Sequence, residues 1–130
     1  MAGTLTISTL SDGTNSTSTT NLTKAPCVAW VNFNGLAGAS IRASYNVSSV
    51  TFVSTGNYTI TFTNALSDAN YCITGTTTGS YSTSWLILNT NITGSGATEL
   101  APTTTAFSVE TVQPSTARLD SKYINLAVFR

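Results

Sequence analysis

The strongest constraint on this chain's fold is a series of short runs in which apolar and polar residues alternate one by one. Tyr58-Thr59-Ile60-Thr61-Phe62 is the cleanest, with Tyr58, Ile60 and Phe62 on one side. A period of two places successive side chains on opposite faces of an extended strand, so such a run buries one face and wets the other. The remaining runs are Cys27–Phe33, Ala39–Val47, Val50–Val53, Tyr71–Thr74, Tyr81–Ile92, Thr104–Val112 and Tyr123–Phe129. In Ala39–Val47, Ile41, Ala43 and Tyr45 read onto one face and Arg42 and Ser44 onto the other. Turn formers separate the runs: Asn34-Gly35, a strong two-residue hairpin signal, then Ser54–Asn57, Ser67–Asn70, Gly79-Ser80 and Gly94–Gly96. About eight strands at this spacing, and no stretch with apolar residues at helical spacing, predict an all-β fold. The expectation is a single antiparallel β-sandwich, jelly-roll-like, over residues 25–130. The pattern leaves strand order open.

Composition points the same way. Thr and Ser make up about a third of the chain, and Thr suits a pleated, half-buried surface. Charged residues are 8%, five acids balance five bases, and there is no His; an ordinary soluble domain is about 25% charged. A hydrophobic fraction of 41% argues against disorder, which combines low hydrophobicity with high charge. Nucleic acid is not expected as a partner, because a phosphate backbone needs a basic footprint and Lys24, Arg42, Arg118, Lys122 and Arg130 are few and scattered in sequence. No membrane partner is expected either: the longest purely apolar run, Cys27–Val31, is far short of the roughly 20 residues of a spanning helix. Met1–Thr4 has neither the basic region nor the apolar stretch of a secretory signal, so Cys27 and Cys72 are expected to be buried, reduced and small.

Residues 1–24 stand apart. Ser11–Thr20 contains no apolar residue and cannot anchor itself to a core, so the segment is read either as an extended Ser/Thr-rich N-terminal arm ordered by lying on a neighbour or as a floppy tail. In the body, Cys27–Val31, Trp85–Leu88 and Leu126–Phe129 are apolar on both faces, whereas a solvated antiparallel strand alternates. Something must cover their outer faces, and a second copy is the simplest cover. Trp30, Trp85, Ile87, Val128 and Phe129 are the candidate contacts between copies.

Chemistry finds little footing. Without His there is no catalytic triad and no ordinary general base. The acids Asp12, Asp68, Glu99, Glu110 and Asp120 are isolated and sit mostly in predicted turns. Cys27 and Cys72 do not make a zinc site, and Gly94-Ser95-Gly96 lacks the Lys of a phosphate loop. Neither catalysis nor a metal or other cofactor is expected. The Asn-x-Ser/Thr triplets at Asn15, Asn21, Asn46, Asn57 and Asn91 arise by chance in so Ser/Thr-rich a chain. Tyr58, Tyr71 and Tyr81 sit beside turns, where an outward ring could stack on a sugar.

The segments Ala29–Gly35, Ile41–Val50, Gly56–Leu66 and Asp68–Tyr71, with the ending Ile124–Arg130, resemble a β-rich domain of virion surface proteins from tailed bacteriophages, of marine and cyanophage type, which often ends tail-fibre-like proteins. The resemblance covers about residues 27–75 and the last strand. It implies a non-enzymatic virion structural protein, made in the host cytoplasm and assembled as a homotrimer. The chain departs from the fibre pattern in having no long repeat shaft, only the arm. That suits a capsid decoration or cement protein seated on the major capsid protein. The alternative is a tail-fibre or knob domain that binds host surface glycans.

Overall fold

A computed structural model describes residues 3, 6–14, 16–19, 26–78, 85–87, 100–112 and 117–130. The body is an antiparallel β-sandwich of two four-stranded sheets. Its strands are β3 (Cys27–Asn34), β4 (Ser40–Tyr45), β5 (Val47–Ser54), β6 (Asn57–Phe62), β7 (Cys72–Thr78), β8 (Trp85–Ile87), β9 (Ala106–Val112) and β10 (Tyr123–Phe129), after two short N-terminal strands, β1 (Thr9–Ser11) and β2 (Ser16–Ser18). One sheet has the order β4-β3-β10-β7, the other β5-β6-β9-β8. The hairpins β3–β4 and β5–β6 each stay within one sheet. The rest of the expected strand Tyr81–Ile92, Tyr81 itself and the turn at 94–96 lie outside the described residues.

Alternation builds the core. Ala29, Val31 and Phe33 of β3 and Ile124, Leu126 and Val128 of β10 point inward from one sheet, and Tyr58, Ile60, Phe62, Phe107 and Val109 meet them from the other. The Phe33 and Tyr58 rings pack edge to face with centroids 5.2 Å apart, joining the two layers. Tyr58, read from the sequence as inward and also as a possible outward ring, is fully buried. Its hydroxyl donates in a three-centre arrangement to the Gly35 carbonyl (3.0 Å) and Asp120 Oδ1 (2.9 Å), and Asp120 Oδ1 also accepts from Gly56 N at 2.6 Å. Residues 117–121 thus form a strap over one end of the sandwich, held further by Leu119 N to Thr111 O (3.0 Å) and by the Arg118–Glu110 ion pair.

Several local expectations change. The Asn34-Gly35 pair does begin the β3–β4 connection, but the loop runs from 35 to 39 through a 3-10 turn at Leu36–Gly38. Gly35 has φ −82, so it is not the left-handed residue of a two-residue turn. Its lack of a side chain is needed because a Cβ would strike the Tyr58 hydroxyl and come within 2.8 Å of the Ser121 carbonyl. The expected strand Ala39–Val47 breaks at Asn46, whose φ of 54 turns the chain from β4 in one sheet to β5 in the other. Asn tolerates this region best among side-chain-bearing residues. Its amide clamps the corner, accepting from Asn64 N at 2.8 Å and donating to Val28 O at 3.2 Å. The described part of the N-terminal arm is not extended. β1 and β2 fold back on each other around Asp12 and Gly13, and pair with neither body sheet.

Candidate assembly face

Residues opposite the core on β4-β3-β10-β7 form the outer face of that sheet, and register sets them in rows. Trp30 pairs with Tyr45 on one side and Ala127 on the other, and Ala127 pairs with Thr74. The next row toward one end is Cys27, Phe129 and Cys72. Toward the other end come Ala43, Asn32, Asn125 and Thr76, then Tyr123 and Thr78. Four aromatic side chains on this face reach solvent: Tyr45 (57%), Tyr123 (43%), Trp30 (40%) and Phe129 (38%). The outer face of the second sheet is different. Two of its paired rows are Thr51, Thr59 and Ser108, and Ser49, Thr61 and Ala106, with the Thr59 and Ser108 hydroxyls 3.1 Å apart; the register continues with Asn57, Glu110 and Ile87, then Val112 and Trp85.

A register shift places Ala43 opposite Asn32 and Ile41 opposite Phe33, leaving Arg42 as the extra residue of a bulge. Ile41 therefore does not share a face with Ala43 and Tyr45, as strict alternation had suggested. Arg42 turns outward. Its Nη2 donates to the Lys122 carbonyl at 2.7 Å, its Nη1 to Asn32 Oδ1 at 3.4 Å, and its guanidinium lies 4.3 Å from the centre of the Tyr123 ring. Lys122 Nζ is 5.7 Å from the same ring. Asn32 donates to Asn125 Oδ1, and Asn125 donates to Thr76 Oγ1 at 3.3 Å, so an amide ladder crosses three strands.

Of the five residues expected at a contact between copies, Trp30 and Phe129 lie on this face. Val128 does not: alternation along β10 turns it inward, and at 1% exposure it belongs to its own subunit's core and cannot meet a neighbour. The apolar run Leu126–Phe129 misled because two of its residues face the core. Trp85 and Ile87 lie on β8, in the other sheet, so the five are not one patch; their side chains are outside the described part of the structure. Tyr45 and Tyr123 went unrecognised as outward aromatics, because Tyr45 stands beside Trp30 only through the β3–β4 register.

The cysteines also differ from expectation. Both are exposed and free, since Cys27 and Cys72 occupy outward positions on either side of Phe129. They are two strand spacings apart, about 10 Å, beyond disulfide reach. Tyr71, the other described candidate for stacking on sugar, packs against Phe62 and Phe107, and its hydroxyl donates to Thr103 O at 2.9 Å. Burial pushes its pKa up to about 12 and raises that of Tyr58 more. Among the described residues no three of His, Cys, Asp and Glu gather in a way that could hold a metal ion. Comparisons with protein-family models, curated proteins and solved structures each found no match.

Proposed function

We propose that this chain is a non-enzymatic structural protein of a tailed-phage particle, a small β-sandwich that assembles as a homotrimer on the particle surface as a decoration or cement protein. The observation that carries the assembly reading is the solvent-exposed cluster of Trp30, Tyr45 and Phe129 on the outer face of β4-β3-β10-β7, against the mainly hydroxyl-bearing rows Thr51–Thr59–Ser108 and Ser49–Thr61–Ala106 on the other sheet. Exposed apolar surface of this kind favours association, at about 25 cal/mol per Å² covered. A surface with so few charges offers little repulsion against it. The phage setting rests on the resemblance of residues 27–75 and the last strand. The Tyr58 version of a glycan-binding knob loses support, because that ring is buried.

Two measurements test the proposal. Sedimentation of the purified chain should give three times the 13.5 kDa subunit mass; a monomer at high concentration overturns the assembly reading. Deleting residues 1–24 should abolish attachment to particles while cell adsorption stays near normal. Loss of adsorption with attachment intact would instead make it a receptor-binding domain.

A further inference from the structure

The chain has only five cations, and the described ones are distributed unevenly. Arg118 is paired with Glu110 and Arg130 with Asp68. Arg42 and Lys122 have no acidic partner among the described residues, yet they stand together at the Tyr123 end of the outer sheet face. The described carboxylates elsewhere are engaged: Asp120 by Gly56 N and the Tyr58 hydroxyl, and Asp12 by Thr14 N. Among the described residues no carboxylate compensates these two positive groups, so the complementary charge is sought in a ligand.

What lies beside them sets the class of ligand. The ladder Asn32–Asn125–Thr76 begins at Arg42 and runs across the face, offering amide and hydroxyl groups at the surface of a flat sheet. An open depression of about 260 Å³ borders its far end, over Thr74, Thr76, Asn125 and Ala127. Amides and hydroxyls side by side suit the hydroxyl groups of a sugar, and a guanidinium with donors to spare suits a carboxylate. We infer that the Arg42–Lys122–Tyr123 end of this face binds an acidic polysaccharide, with a uronate carboxylate at Arg42 and Lys122 and the sugar hydroxyls on Asn125 and Thr76. Tyr123 stacks under Arg42 and holds its guanidinium in place. The site adjoins the proposed contact between copies: Tyr123 lies four positions along β10 from Ala127, or about 13 Å of strand, while Thr74 and Ala127 of the depression belong to the row of Trp30.

The test is affinity electrophoresis of the full chain in gels containing polygalacturonate, neutral dextran or polyglutamate, with sedimentation run in parallel. Polygalacturonate should retard the protein and dextran should not. Polyglutamate, with the same carboxylate but no sugar hydroxyls, should retard it much less. Arg42→Gln and Lys122→Gln should each weaken binding about tenfold, as loss of a charge-assisted contact does, and Asn125→Ala should narrow the gap between polygalacturonate and polyglutamate. All three variants should keep the wild-type sedimentation coefficient, so that a failure here is told apart from a failure of assembly. Equal retardation by polyglutamate, or unchanged retention of the Arg42→Gln/Lys122→Gln double variant, overturns the inference.

Discussion

Tyr45→Thr isolates the contribution of the aromatic face to self-association. Tyr45 is 57% exposed on the edge strand β4 and stands beside Trp30. A Tyr side chain presents about 200 Å², so about 110 Å² is left for a neighbour to cover. At about 25 cal/mol per Å² its full burial would contribute about 3 kcal/mol per contact. Thr recovers part of that through its methyl group, leaving a loss of about 2 kcal/mol, or roughly thirtyfold in the association constant. Folding should change little, because Thr favours strands and Tyr45 is more than half exposed. The assay is sedimentation velocity over a hundredfold range of concentration, with a thermal melt of each protein under conditions where it is monomeric. Thr51→Ala, on the outer face of the other sheet, is the control and should associate like the wild type. The reasoning is refuted if Tyr45→Thr associates as tightly as the wild type, or if Thr51→Ala is the variant that falls apart.

Two further outcomes concern the fold. Asn46→Ala removes the amide clamp at the corner and forces Ala into a left-handed conformation, which together should cost about 3 kcal/mol and lower the melting temperature by about 10 °C; Asn46→Gly keeps the backbone easy and loses only the clamp, so it should cost less, and equal losses would count against the strain argument. In alkali, burial holds the Tyr71 proton to about 12, whereas the unfolded chain releases it near 10. Its contribution is therefore complete below pH 10 and is lost as pH rises from 10 to 12, with Tyr58 acting in the same direction. Melts across pH 9 to 12 should show this fall, and Tyr71→Phe should flatten it.

The sandwich was legible because each strand carries its own signal. Tyr58, Ile60 and Phe62 face inward as their alternation required, and burial alone determines that. Features made by two distant segments were not legible. The break at Asn46 looked like the middle of a strand, since Tyr45 and Val47 both suit β structure; what singles Asn46 out is its contact with Val28 and Asn64. Gly35 signalled a turn for the wrong reason, because the constraint on it comes from Tyr58 and Ser121. For the candidate face, Trp30 and Phe129 were visible as apolar residues in excess of what one core face takes. The meeting of Arg42, Lys122 and Tyr123 was not, because it depends on a bulge and on a contact between residues 80 positions apart.

The described strand rows on the two broad sides of this sandwich differ in character, and under the proposed assembly that difference bears on how many copies gather. A slab that was oily on both sides could stack without end, each newcomer offering the next a fresh sticky surface. If copies gather through the aromatic side as proposed, the described rows Thr51–Thr59–Ser108 and Ser49–Thr61–Ala106 turn mainly hydroxyls to the water behind them, which favours a cluster that closes over one that stacks.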